Sequence, residues 1–223
     1  MPPVDWVIFD CYGTLIDWEG GVHAALSPFL PPGIGRDELG RRYIEVEAEV
    51  ERGEYLRYLD VLDRASRLLL ERLGRPLRAG AASPLPSSLA SWPPFPEVPE
   101  ALRKLRASGR RIAILSNVDR DLLATSIAKL GGEPDLAVTA EECASYKPAP
   151  GHWRYFQKRT GATPDRVVHT GASLYHDMRP ASALGYRTVF INRHDEPLGN
   201  VAPTHVLRDL SGLPEVIEEL AGL

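Results

Sequence analysis

The stretch VIFDCYGTLIDWEG, residues 7–20, sets an acid, Asp10, where an apolar, β-branched run stops and a turn begins. Such a run reads as a buried strand, and the chain repeats it as RIAILSN (111–117), DLAVT (135–139), RVVHTGA (166–172) and RTVFINR (187–193). Helical patterns separate the runs. In DRDLLATSIAKLGG, Asp119 is placed to cap the start and Gly131-Gly132 to end the helix. Strand alternating with helix predicts right-handed βαβ units, and so an α/β fold with a Rossmann-like parallel sheet. Ligands of such sheets bind beyond the carboxyl ends of the strands, where strand order reverses.

Residues 19–94 break this rhythm, because they carry helix-period patterns only. DELGRRYIEVEAEVERG is one. EYLRYLDVLDRASRLLLERLG is the next, with Leu59, Leu62, Leu69 and Leu73 expected along one face. The exit AASPLPSSLASWPPFPEVPE suits a hinge or a packed irregular loop equally. The organisation expected is a catalytic core of residues 1–18 and 95–223 with a helical cap, 19–94, inserted after the first strand. The 223 residues are ample for a core of that size.

Charged residues make up 25% of the chain and the net charge is −4, with no long run of either sign. That argues against sequence-independent nucleic-acid or membrane-surface binding and for a small-molecule partner. The start, MPPVDW, has no basic leader, and no apolar run approaches the roughly eighteen residues of a membrane span, so a cytoplasmic protein is expected. Cys11 and Cys143 are too few for a disulfide framework and stand in no zinc-type spacing. Beside Asp10, Cys11 reads as a small buried residue rather than a nucleophile.

The predicted strands end in polar residues that make chemical sense together. Asp10 and Thr14 follow the first, Ser116 and Asn117 close the second, Lys147 lies in ECASYKP, and Ser173 and Asp177 follow HTGA. Singly, each is as well explained by turns, caps or solvated charge. Jointly they offer a carboxylate nucleophile, donors for an anion, a lysine that keeps the carboxylate ionised, and a second acid.

FDCYGTLID, ILSN, YKP and SLYHDMRPASALG resemble, in order and spacing, the four motifs of the haloacid dehalogenase superfamily. The resemblance spans essentially the whole chain and implies that family's Rossmann-like core and inserted cap. It also implies roles: Asp10 as the nucleophile that forms an aspartyl ester, Thr14 as its orienting neighbour, Ser116 as the second-motif hydroxyl, Lys147 as the third-motif lysine and Asp177 as the fourth-motif acid.

Most members of the superfamily are magnesium-dependent phosphatases, with a second aspartate two residues after the nucleophile and an acidic metal ligand after the fourth-motif glycine. Here those positions are Tyr12 and Ala172. Loss of both should cripple metal-assisted phosphoryl transfer, whereas displacing a halide from carbon needs neither proton nor metal. Asp10 with Tyr12 is similar to the first motif of the L-2-haloacid dehalogenases, which implies a hydrolase that needs no cofactor and converts short anionic 2-haloacids to 2-hydroxy acids. In that branch a cap arginine takes the halide, and Arg41 is the positional match, with Arg42 one register away. The resemblance implies that Ser116 and N–H groups near Cys11 and Tyr12 hold the substrate carboxylate. Asn117 and Arg41 would stabilise the halide, and Asp177 with Lys147 would activate water.

Familiar members carry serine, asparagine and an aromatic where this chain has Ala172, Leu174 and His176, so Ser173 and His176 join the candidate substrate-binding set. His169 reads as a satisfied core residue, and Trp18 and Trp153 as packing or pocket walls. The alternatives are a phosphatase that has rebuilt a magnesium site, a carbon-directed hydrolase with a leaving group such as a strained ring nitrogen, and a non-catalytic binding protein. A homodimer through the cap is consistent with the resemblance.

Overall fold

In the computed structural model, residues 3–52 and 55–222 are described. Six strands form one parallel sheet: β1 (Trp6–Phe9), β2 (Arg111–Ser116), β3 (Leu136–Thr139), β4 (Val167–Gly171), β5 (Arg187–Ile191) and β6 (His205–Leu207). Their order is β3-β2-β1-β4-β5-β6, so the direction of winding reverses between β1 and β4. Asp10 follows the first of these two strands and Ala172 the second.

The apolar runs are buried on both faces because helices cover both. Val7 and Phe9 of β1 join Ile112 and Ile114 in one cluster, which extends to helices α5 (Val98–Ala107) and α10 (Leu213–Ala221). Trp6 and Ile8 turn the other way, into a smaller cluster with Trp153 and Phe156 of α8 (Gly151–Thr160). Strand β6 lies at the sheet edge, three residues long and only partly buried, and its run was too short and polar to be read as a strand. No helix among the described residues is long and apolar enough to cross a membrane.

Every strand lies outside residues 19–94, and the long helices between are α1 (Trp18–Leu26), α2 (Arg36–Val50) and α3 (Tyr58–Arg72), with a short α4 (Pro84–Ser88). The two patterns read at 37–53 and 54–74 meet at Gly53 and Glu54, which lie outside the described residues. The buried face of α3 differs from the expected leucine stripe. It consists of Tyr58, Val61, Leu62, Ala65, Ser66, Leu69 and Leu70, whereas Leu59 is exposed. Leu59 sits in the first turn, outside the stripe that the packing against α2 selects. The Pro/Ser-rich exit packs down: Leu85, Leu89 and Trp92 are buried within it.

Asp119 does not cap the helix that follows it, α6 (Arg120–Ile127). Its buried carboxylate instead accepts from the N–H groups of Tyr58 and Leu59, each at 3.1 Å, at the start of α3. A core side chain thus satisfies the orphan amides of a helix in the inserted segment, a placement that local sequence does not encode. Asp119→Ala is expected to lower the unfolding free energy by about 1–2 kcal/mol in chemical denaturation, the upper range for a lost cap. A change near zero would show that these amides find other partners.

Candidate active site at the end of strand β1

The loop after β1 is shaped by a tight turn. The Asp10 N–H donates to the Thr170 carbonyl at 3.0 Å, and the Cys11 carbonyl accepts from Leu15 and Ile16 at 2.7 and 2.9 Å. Gly13 has φ +93°, a conformation that side chains disfavour, and a Cβ there would meet the Trp18 ring at 3.0 Å. Arg193, just past β5, clamps the turn: its guanidinium donates to the carbonyls of Gly13 (3.2 Å) and Thr14 (2.9 Å), pairs with Glu97 (2.7 Å) and lies over the Phe95 ring.

Both oxygens of Asp10 are held. Oδ2 accepts from Thr14 Oγ1 at 2.8 Å, and that hydroxyl in turn accepts from the Ala172 N–H at 2.9 Å, tying the first motif to the loop after β4. Oδ1 accepts from Lys147 Nζ at 2.8 Å, and Nζ also donates to Asp177 Oδ1 at 2.7 Å. Lys147 and Asp177 are fully buried; the Asp10 side chain keeps 13% of its surface open. Burial works against the Lys147 ammonium, yet the two carboxylates overcome it and hold the group above its ordinary value. Burial also pushes Asp177 up, but Lys147 and His169 outweigh it, keeping that carboxyl well below the usual range. For Asp10, burial is the larger effect and raises the carboxyl, with Lys147 and Thr14 opposing.

Groups behind this line fix it further. Asn117 clasps the Lys147 backbone, accepting from its N–H at 2.7 Å and donating to its carbonyl at 3.2 Å. His169 Nε2 lies 3.3 Å from Asp177 Oδ1, and a Cβ at Gly171 would come within 2.8 Å of the Asp177 carboxylate, so only glycine admits that acid against β4. His152 Nε2 lies 3.0 Å from the Ser116 carbonyl, and burial lowers its pKa to about 4.

A cavity of about 430 Å³ opens beside the turn, lined from the core by Tyr12, Phe95, Ser173 and His176 and from the helical segment by Tyr43, Glu47, Glu51 and Tyr58. Tyr12 supplies the expected wall: its ring stands edge-on to Trp92 at 5.9 Å, and its hydroxyl bonds Ser126 at 2.9 Å. The facing wall is unexpectedly acidic. Glu47 Oε1 accepts from Tyr58 (2.6 Å) and Tyr43 (3.1 Å), and burial raises its carboxyl against those bonds. Burial, with Glu47 beside it, pushes Glu51 up to about 9.

Several expected site residues therefore fall elsewhere. Arg41 is exposed on α2 and does not line the cavity, and Arg42 is exposed and bonded to Glu38. The part of α2 that lines the cavity is Tyr43, Ile44, Glu47 and Ala48, with Glu51 at its C-cap, and Arg41 stands before all of them toward the start of the helix. Asn117 spends its amide on Lys147 rather than on the cavity. Ser116 is fully buried and its hydroxyl has no partner among the described residues. Cys11 is buried, with burial raising its thiol well above the ordinary value, in keeping with an inert role. His169 touches Asp177 and is more than core filling. Trp153 is packing beneath the sheet, whereas Trp18 lines the cavity. Nothing in the sequence marks the Glu47–Glu51 wall as part of a site, whereas Arg193 closes a strand run as the motif residues do.

The residues do not suit the magnesium of related phosphatases. Tyr12 and Ala172 offer no carboxylate where those enzymes carry one, and no group of three or more His, Cys, Asp or Glu among the described residues converges as a metal set. Removing the Lys147 bridge between Asp10 and Asp177 should move the titration of Asp10. In Lys147→Met, the Asp10 carboxyl, followed by carbon-13 NMR, is expected to titrate at higher pH than in the parent, because the group that opposes burial is gone. An unchanged or lower midpoint would mean that Lys147 does not govern its charge.

A sequence model of haloacid dehalogenase-like hydrolases matches residues 4–185. Curated relatives include haloacetate dehalogenase H-2 of Moraxella sp. (strain B), 28% identical over 200 residues that cover 87% of this chain and 88% of that one. (S)-2-haloacid dehalogenase 1 of Pseudomonas sp. (strain CBS-3) is 28% identical over 229 residues, 99% of both chains. Among solved structures, an L-2-haloacid dehalogenase superposes with a TM-score of 0.86 at 26% identity, covering 97% of this chain and 99% of that one. At 20% identity, the enzyme from Xanthobacter autotrophicus with chloropropionic acid covalently bound shares the fold, with a TM-score of 0.80 over 96% and 98% of the chains. With the Asp10–Lys147–Asp177 line at the reversal point of its sheet, this chain belongs to the haloacid dehalogenase-like hydrolases.

Proposed function

We propose that the protein is a metal-independent hydrolase that displaces the halide of short 2-haloacids through an ester on Asp10. The observation that carries this reading is the Asp10 carboxylate held by Lys147 and Thr14, with Tyr12 and Ala172 standing where a magnesium-dependent relative carries its further acids. An ionised carboxylate is thereby fixed by Lys147 and Thr14, aimed and partly open, which is what attack on saturated carbon requires.

In the first half-reaction an Asp10 oxygen attacks the α-carbon from the side opposite the halide, the carbon–halogen bond breaks, and the centre inverts. Backbone N–H groups at Cys11 and Tyr12 are the candidate anchor for the substrate carboxylate. Tyr12, Trp92 and Phe95 give the departing halide an apolar wall. Glu51, protonated at neutral pH, is the nearest replacement on the cap side for the donor that Arg41 does not provide. Water then cleaves the ester at the Asp10 carbonyl carbon and frees the 2-hydroxy acid.

A second reading rests on that same protonated Glu51. A carboxylic acid in the cavity suits a leaving group that must take up a proton, such as the nitrogen of a small strained cyclic amino acid. Both readings keep Asp10 as the carbon-directed nucleophile and differ only in what departs.

Protein treated with EDTA and given L-2-chloropropionate is expected to release chloride at an undiminished rate, and Asp10→Asn to release none. Release of phosphate from 4-nitrophenyl phosphate with magnesium, without chloride release, would contradict the proposal. Ring opening of a cyclic amino acid without chloride release would favour the second reading.

A further inference from the structure

Ester hydrolysis needs a base, and the fourth-motif acid is badly placed to be one. Asp177 is only 1% exposed, its Oδ1 is engaged by Lys147 and His169, and its buried Oδ2 lies against Gly171 with no polar partner among the described residues. The Lys147 charge further weakens it as a proton acceptor. Its neighbour is differently situated. His176 lines the cavity, on a single π-helical turn (Leu174–Met178) that begins at Ser173.

Ser173 Oγ accepts from the His176 backbone N–H at 3.0 Å and lies 3.2 Å from its Nδ1. With its proton on Nδ1, donated to Ser173, the ring presents Nε2 as an acceptor. Tyr175 packs edge-on at 4.9 Å, and the charges acting on the ring are those of Asp177 and Lys147. Burial keeps the imidazole neutral at physiological pH. The loop that carries His176 is tied to Asp10 through the Ala172 N–H to Thr14 contact, and Asp177, the residue after His176, shares Lys147 with Asp10.

We infer that His176, oriented by Ser173, is the general base that activates water in the second half-reaction, with Asp177 serving to hold Lys147. The inference rests on the proposed function. Nε2 takes a proton from water as the water oxygen bonds to the Asp10 carbonyl carbon. The tetrahedral intermediate then collapses by breaking the bond from that carbon to the substrate oxygen, which takes the proton back from His176. Asp10 is left as a carboxylic acid, loses its proton to solvent and returns to the ionised form that Lys147 favours.

The test is a rapid-quench experiment with L-2-chloropropionate on the full chain, following chloride and the intact protein mass. In His176→Gln, about one chloride per site is expected in a burst at the parent rate. Steady turnover is expected to fall about 10²-fold or more, with an ester-sized adduct persisting on the protein. Ser173→Ala is expected to slow ester loss less severely, and in His176→Ala added imidazole should restore ester loss, which repair of a merely structural defect would not do. Turnover within about threefold of the parent in His176→Gln, or no imidazole rescue together with no adduct, overturns the assignment. A parent protein with no chloride release refutes the dehalogenase reading instead, and the inference falls with it.

Discussion

A buried ammonium between two carboxylates organises this molecule. Stripping Lys147, Asp10 and Asp177 of water costs several kcal/mol per ion, and only close geometry returns it. The surroundings are built accordingly. Asn117 grips the lysine's backbone from the end of β2, His169 and the missing side chain of Gly171 seat Asp177 against β4, and Thr14 joins Asp10 to the loop beyond. Each contact comes from a different strand end, so the parallel sheet is what makes the charge line possible. The line is asymmetric: two members are sealed, and the third, Asp10, keeps 13% of its side-chain surface open.

The cavity's far wall determines what meets that nucleophile. Helix α2 presents Tyr43, Ile44, Glu47 and Ala48, with Glu51 at its C-cap, and none of its arginines lines the cavity. A carboxyl that stays protonated in a partly apolar pocket is a hydrogen-bond donor without charge, a weaker but more discriminating partner for a departing group than a guanidinium. Asp119, a core residue holding the start of α3, ties the position of this wall to the sheet.

The parallel sheet, the helical segment after β1 and the residues Asp10, Thr14, Lys147 and Asp177 were legible because each leaves a local mark. Apolar runs end in acids, hydroxyls or a lysine, and spacing carries the rest. What escaped depends on packing between distant segments. The part of α2 that meets the cavity is set by its docking, so Arg41 matches by position yet is exposed and does not line the cavity, while Glu47 and Glu51 do. Asp119 looked like a cap for its own helix because the amides of Tyr58 and Leu59 are some sixty residues away in sequence. Asn117 was read as facing substrate, since nothing in ILSN reveals that the Lys147 backbone absorbs both ends of its amide. His169 reads as core from its strand, and only the fold places it under Asp177.

The central claim is that Asp10 is alkylated and then released by attack at its own carbonyl carbon. Multiple turnovers of L-2-chloropropionate in water enriched in oxygen-18, followed by peptide mass spectrometry, test it directly. The account predicts heavy oxygen in the Asp10 carboxylate. Label found in the 2-hydroxy acid during a single turnover, with Asp10 unlabelled after many, would mean that water attacks the substrate carbon directly and would contradict it.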